Sequence, residues 1–253
     1  MNTNTNLTPT ISSIKKKDAI YYWYMQNYKK YLDLYNSNKE KEQHGLFVEL
    51  GSGSGLLKEI IPQILCTDVF SHTGIDMVVD ATKMPFANES VNTFFMTNVL
   101  HHIPDVERAF AEIERCLIPG GSCLIIDHYP QGVIAKWIFK YFHEPFDEKA
   151  SNWSLPTNGL LSSANSALSW IVFFRDREIF IKKFPLLKIN SISPHGPLLY
   201  WLAGGLKSWS LLPNGNLFAF LRRWIIYFDN FLISKWPNTG SFMDILLNKK
   251  DDF

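Results

Sequence analysis

The stretch FVELGSGSGLLKEIIP, Phe47 to Pro62, decides the fold. Phe47–Leu50 reads as a short strand. Leu56 onward reads as about two helical turns, closed near Pro62, whose missing amide breaks the helical ladder. Between them lie three alternating glycines. Glycine in a strand-to-helix turn permits positive φ and lets the backbone approach a ligand closely. The spacing fails the dinucleotide fingerprint G-x-G-x-x-G. Gly51 and Gly53 match it, but Leu56 stands where the third glycine belongs, and the glycine comes one earlier, at Gly55. The pattern is E-x-G-x-G-x-G. Glu49 would repel a pyrophosphate and attract an ammonium or sulfonium in a partly dry cleft. The loop points to a cationic ligand.

Outward from the loop, strands and helices alternate. Upstream, Asp18 favours a helix start, and Ile20, Tyr24, Tyr28, Tyr31 and Tyr35 recur at helical spacing before the polar run NSNKEKEQHG ends the helix. Downstream, ILCTDV, GIDMVVD and VNTFFMTNVL read as strands. DVERAFAEIERCL reads as an amphipathic helix with Val106, Ala109, Phe110, Ile113, Cys116 and Leu117 on one face. PGG stops it and SCLIID is a fifth strand. The expected fold is α/β, a Rossmann-like doubly wound parallel sheet covered on both faces. Ligands bind outside the carboxyl ends of such strands.

Composition bounds the rest. A chain of 253 residues, 46% of them hydrophobic, can build a real core rather than remain disordered. The formal charge of +1 gives no global field to select nucleic acid. Cys66, Cys116 and Cys123 form neither a C-x-x-C pair nor a disulfide framework, which suits a reduced, cytoplasmic setting. The start, MNTNTNLTPTISSIKKK, lacks an apolar run and is expected to be a disordered tail over residues 1–17 rather than a secretory signal.

Four further islands follow the strands in order: the TD ending at Asp68, DATKMPF from Asp80, TNVLHHI from Thr97, and RCLIPGGSCLIID from Arg115. With the glycine loop, they make the chain resemble the class I S-adenosylmethionine-dependent methyltransferases, in the methyltransferase type 11-like subgroup, over about residues 45–127. The resemblance implies S-adenosyl-L-methionine as cofactor. Glu49 would hold its amino group. Gly51, Gly53 and Gly55 would line its methionine and ribose, and Asp68 would take the ribose hydroxyls. Asp80 and Ala81 would meet adenine, and Asn98 the amino-acid end through its backbone. Two features depart from the pattern. Only 12 residues separate Gly55 from Asp68, and TDVFSHTGIDMVVDA joins two strands without a full helix between them. Asp76 is therefore the alternative ribose ligand, with Asp68 favoured.

Methyl transfer from a sulfonium needs an acceptor held in line, and an oxygen or nitrogen acceptor also needs a base. Candidates are His128, just past the fifth strand, then His102, His143, Glu144 and His195. The LHHI pair His101 and His102 also reads as packing and capping. It has no Cys or carboxylate at metal-ligand spacing, so no metal is expected. The expected organisation is a cofactor-binding core over 18–127 and a substrate-recognition or lid extension over 128–253 that completes the sheet. Seven of the eight tryptophans and 13 of the 19 phenylalanines lie in that aromatic-rich extension, which suits an acceptor with a bulky apolar part. Arg175, Asp176 and Arg177 read as an ion-pair cluster or as a grip on an anion.

LFAFLRRWIIYFDNFLISKW, residues 217–236, is apolar but carries Arg222, Arg223, Asp229 and Asn230. Each such charge costs about 2.5–3.5 kcal/mol at a bilayer centre, so it does not read as a membrane span. Burial against the core or a second subunit is the favoured reading, and an interfacial helix reaching a lipid-linked acceptor is the other. Expected partners are thus a small-molecule, glycan-precursor or lipid-linked acceptor, with a homodimer or peripheral membrane contact open and nucleic acid excluded. The competing function classes are a cofactor-binding partner subunit without turnover and a nucleotide-dependent oxidoreductase. Glu49 and Leu56 speak against the latter.

Overall fold

The computed structural model describes residues 10–40, 44–142, 144–155 and 164–251. Seven strands form one sheet in the order β3-β2-β1-β4-β5-β7-β6. They are β1 (Leu46–Leu50), β2 (Leu65–Asp68), β3 (Met77–Val78), β4 (Val91–Thr97), β5 (Leu117–His128), β6 (Leu187–His195) and β7 (Phe242–Lys249). β1 to β5 pair in parallel, and β7 runs antiparallel to both β5 and β6. The doubly wound sheet is as expected. The second half completes it, since β7 pairs with β5 from Ser122↔Asn248 to His128↔Phe242. β1 lies between β2 and β4, so the strand order reverses there and opens a crevice at the carboxyl ends of these three strands.

The helices are α1 (Ile11–Lys15), α2 (Asp18–Glu40), α3 (Val106–Cys116), α4 (Val133–Phe142), α5 (Leu168–Trp170), α6 (Arg177–Lys183), α7 (Leu199–Leu202) and α8 (Ala219–Lys235). One face of the sheet packs on α3, α5 and α6 through Phe110, Phe173, Phe180 and Phe184. The other packs on α2 and α7. The α2 stripe Ile20, Tyr24, Tyr28, Tyr31 and Tyr35 is buried there. The Tyr31 hydroxyl is satisfied, donating to the Met96 carbonyl at 2.5 Å with Thr97 Oγ1 at 2.7 Å. Burying so many rings supplies most of the helix's stability, with each large apolar side chain contributing about 1.5–3 kcal/mol.

Three expectations change. The tail predicted over residues 1–17 contains α1: Thr10 Oγ1 accepts from the Ser13 amide, and Ile14 is buried in the α2 cluster. Residues 1–9 lie outside the described residues. After the glycine loop there is one 3-10 turn, Leu56–Glu59, instead of two helical turns. Only nine residues, 56–64, lie between Gly55 and the start of β2, which leaves no room for more, and both leucines are buried in the core. α2 also runs through the polar Asn36–Glu40, because Asn38 is buried and donates to Thr93 Oγ1 and Ser122 Oγ at 2.9 and 3.0 Å.

The fourth change concerns α8, predicted to be buried. Its buried residues are Arg222 and Asp229. Asp229 accepts from the Leu199 amide at the start of α7 at 3.2 Å, and Arg222 donates to the Gly215 carbonyl at 3.3 Å, 3.7 Å from Asp18. Leu221, Ile225 and Ile226 pack on the α2 cluster beside these two charges, while Arg223, Asn230 and the aromatic stripe face out. Among the described residues no helix is long and apolar enough to cross a membrane.

Candidate active site

The crevice at the switch point is a pocket lined from five directions. Glu49 to Ser54 come from the β1 end, Asp68 to Phe70 from the β2 end, and Val79 to Ala81 from after β3. Thr97 to Val99 and His102 follow β4, and Glu144 comes from the second half. Ile14 of α1, Tyr24 and Tyr28 of α2, and Leu206 close it from above.

Glu49 is 2% exposed. The Cys66 thiol stands 3.7 Å from its Oε2, and among the described residues no Lys, Arg or His pairs with it. Burial pushes its carboxyl up to about 8, helped by Asp68 and opposed by hydrogen bonds from Ser52 and Cys66. A buried carboxylate without a cation is costly, so the empty protein keeps Glu49 protonated at neutral pH. A cationic ligand would reverse that. Two tyrosine rings, Tyr24 and Tyr28, line the same cavity and offer π faces to a cation.

The loop geometry is specific at two glycines. Gly53 has φ +53° and no heavy atom within 4 Å of where a Cβ would stand, so its surface is open to the pocket. Its amide donates to Asp68 Oδ2 at 3.0 Å. Gly55, with φ +71°, would put a Cβ 2.1 Å from the Gly74 carbonyl oxygen. Close packing of the β2–β3 connection against the loop requires a glycine at this position, which lies behind the pocket wall.

The two aspartates separate cleanly. Asp68 lines the pocket, with Oδ1 accepting from the Phe70 amide at 3.3 Å and His72 Nε2 3.5 Å from Oδ2. Asp76 lies off the pocket wall, paired with Lys58 and accepting from the Cys66 amide at 2.9 Å. Asp80 and Ala81 line the pocket, and Asp80 Oδ1 accepts from the Thr82 amide and hydroxyl at 2.8 and 2.7 Å. Asn98 lines it in the left-handed region, φ +56°, which asparagine tolerates, and its amide donates to the Ile126 carbonyl.

Beside the cofactor-side residues stands a cluster the sequence keeps 43 positions apart. His101 Nδ1 is 2.6 Å from Asp127 Oδ1, and its Nε2 is 3.1 Å from Glu144 Oε2. The same Glu144 oxygen is 3.3 Å from His102 Nε2. Burial opposes charge on His101, but Asp127 and then Glu144 outweigh it and raise the imidazole to about 9. His101 is thus an imidazolium donating to two carboxylates. His102 and Glu144 reach the pocket wall, whereas His101 stays behind it. The carboxylate judged missing from the LHHI pair is Glu144. His101, His102 and Glu144 have ligand atoms within 4.8 Å of one another, and a metal ion there would have to displace the His101 proton.

The other base candidates lie elsewhere. His128 is buried, stacked on His101 with centroids 4.1 Å apart and packed on Phe139 and Phe242, off the pocket wall. His195 sits at the end of β6, 2.9 Å from Asp244, which also pairs with Lys30 at 2.6 Å. Burial lowers its pKa against the pull of Asp244. Both are placed as parts of the core and the sheet edge, because the ends of β5, β6 and β7 meet at Phe242. His143 lies outside the described residues. Arg175 grips Asp176 through two bonds of 2.8 and 2.7 Å and donates to the Glu148 and Ala150 carbonyls, so that cluster fastens a loop. Among the pocket residues without a signal as a site are Ile14, Tyr24, Tyr28 and Leu206. The tyrosines carry only the helical periodicity of a core stripe.

Residues 48–125 match the family described as Methyltransferase domain. Among curated relatives, the ubiquinone/menaquinone biosynthesis C-methyltransferase of Desulfotalea psychrophila is 30% identical over 99 residues, covering 39% of this chain and 37% of the relative. The phthiotriol/phenolphthiotriol dimycocerosates methyltransferase 1 of Mycobacterium ulcerans is 36% identical over 74 residues, covering 29% of this chain and 27% of the relative. The chain therefore spans roughly a third of the length of these curated relatives. Among solved structures, the geranyl diphosphate C-methyltransferase of Streptomyces coelicolor superposes with a TM-score of 0.42 at 16% identity, over 82% of this chain and 74% of that one.

Proposed function

With residues 48–125 a methyltransferase domain of the class I, S-adenosylmethionine-dependent type, we propose that the protein transfers a methyl group from S-adenosyl-L-methionine to an apolar or lipid-linked small molecule. The observation that carries this reading is the pocket at the switch point, with its buried Glu49 lacking a cation, its open Gly53 surface and the Asp68 carboxylate beside it. The cofactor supplies an electrophilic methyl on a sulfonium. Glu49 takes its ammonium, Asp68 its ribose hydroxyls, Asp80 and Ala81 its adenine, and the Asn98 backbone its amino-acid end. His102 removes the acceptor's proton. Glu144 orients that imidazole, and the buried His101–Asp127 pair holds Glu144. The second half gives the pocket wall Glu144 and Leu206, and Tyr24, Tyr28 and Phe70 of the first half give it an aromatic lining that suits an apolar body. The names of the two curated relatives point to acceptors of that kind. The three buried, unpaired cysteines accord with a cytoplasmic setting.

Asp68→Ala is expected to weaken S-adenosylmethionine binding by about 1.5–3 kcal/mol, the range for hydrogen bonds to a charged group. Asp76→Ala should leave it unchanged. Titration calorimetry of the two variants decides between them, and the reverse result would hand the ribose to Asp76.

Glu49 sets a pH dependence. Its carboxyl is protonated below about 8, and the cofactor's cation favours the ionised form. Binding near pH 7 should release about one proton, and affinity should rise from pH 6 towards 8. Above that the cofactor's own α-amino group, near 8, loses its charge and affinity should fall again. Calorimetry in buffers of different ionisation enthalpy reads the proton directly. In Glu49→Gln the release should vanish, and release that persists in that variant would place the titrating group elsewhere.

A further inference from the structure

α8 is inside out. Its two buried residues are charged, while Phe220, Trp224, Tyr227 and Phe231 are 60%, 65%, 68% and 45% exposed. These four recur at intervals of four, three and four, so they form one stripe along the helix, opposite Arg222 and Asp229. Phe228 widens the stripe, and Leu217 and Trp236 extend it at the two ends, all exposed. So long an exposed aromatic ridge costs free energy in water unless something covers it.

The charge around the ridge says what the cover is. Between Gly196 and Ser241 the only acidic residue is Asp229, which is buried, while Lys207, Arg223 and Lys235 are exposed. A two-fold dimer through this face would bring Arg223 and Lys235 towards the same cations of a second copy. An anionic bilayer answers the cations with phosphates and the aromatic rings with its interfacial zone, where tryptophan and tyrosine are at home. The chain that leads into the ridge also lines the pocket. The connection from α7 to α8 carries Leu206 on the pocket wall, then exposed Trp209 and Leu211. Lys17 fastens that connection, donating to the Gly205 and Lys207 carbonyls at 2.7 and 2.9 Å.

We propose that the outer face of α8, with the connection preceding it, rests on an anionic phospholipid surface and opens the pocket towards it. The docking follows from the surface alone. That the bilayer delivers the acceptor rests on the methyl-transfer reading above.

Flotation of the full chain with vesicles tests it, using phosphatidylcholine alone and phosphatidylcholine mixed with equal phosphatidylglycerol. The wild type should float with the mixed vesicles and about tenfold less with the neutral ones. Trp224→Ser/Tyr227→Ser/Phe231→Ser, all exposed and so compatible with folding, should lower partitioning into mixed vesicles by at least about tenfold. Arg223→Glu/Lys235→Glu should abolish the anionic preference. Absence of wild-type flotation, or a triple variant that floats as well as wild type, would overturn the proposal. So would a dimer in sedimentation that the triple variant dissolves while neither protein floats, because a second copy would then own the face. Calorimetry with S-adenosylmethionine on the same preparations separates the two ideas: flotation without cofactor binding leaves the docking face standing and removes the methyltransferase reading.

Discussion

His102→Ala is expected to lower kcat by about 10²–10⁴-fold, the usual contribution of a positioned general base, with S-adenosylmethionine affinity nearly unchanged. His102 is the one described histidine that lines the pocket. Its Nε2 is 3.3 Å from Glu144 Oε2, so the ring is oriented rather than free to turn. The same Glu144 oxygen accepts from the His101 imidazolium at 3.1 Å, which in turn is anchored on Asp127. Removing the anchor acts through His102 alone: Glu144→Gln should lower kcat less than His102→Ala and displace the pH–rate profile, whereas a merely structural Glu144 would leave the profile in place. The measurement is transfer of labelled methyl from the cofactor into the organic phase of a membrane extract. Equal kcat in wild type and His102→Ala would mean that the acceptor needs no base here.

Gly55→Ala should be the most damaging single substitution in the glycine loop. Its Cβ would stand 2.1 Å from the Gly74 carbonyl oxygen, a backbone atom, and at φ +71° the residue also meets the left-handed penalty. The two effects together should cost about 3–5 kcal/mol of stability. For a chain of this size that lowers Tm by roughly 10 °C. Gly53→Ala shares the positive φ but meets no neighbour, so the fold should lose only about 1 kcal/mol while the methyl fills the cradle and cofactor affinity drops. Thermal melts should therefore single out Gly55→Ala, and cofactor titrations of the folded proteins Gly53→Ala. Equal melting temperatures would mean that the loop does not pack on Gly74.

How much of this was legible depends on distance along the chain. Glu49, Asp68, Asp80 and Asn98 follow strand ends, and strand ends are readable because a doubly wound sheet fixes where they point. The short turn after Gly55 was not, since its length is set by the nine residues available before β2 rather than by the helical pattern of LLKEII. Tyr24 and Tyr28 were legible only as part of a stripe at helical spacing, and such a stripe can be core on most of its length and cavity wall at one end. Glu144 meets His101 and His102 only through the path of the second half, which no local spacing encodes. α8 was legible only in part: its pattern suits packing of Leu221, Ile225 and Ile226 on the core, but does not say that two charges go in with them and a second apolar face stays out. Here polar helix ends at Gly215 and Leu199 draw Arg222 and Asp229 inward.

The central claim is that the pocket at the β1 end holds S-adenosylmethionine. Calorimetric titration of the purified full chain with that cofactor and with its demethylated product tests it most directly. Saturable binding in the micromolar range, one site per chain, with a proton released near pH 7 is the predicted result. A folded protein that binds neither compound would contradict the account.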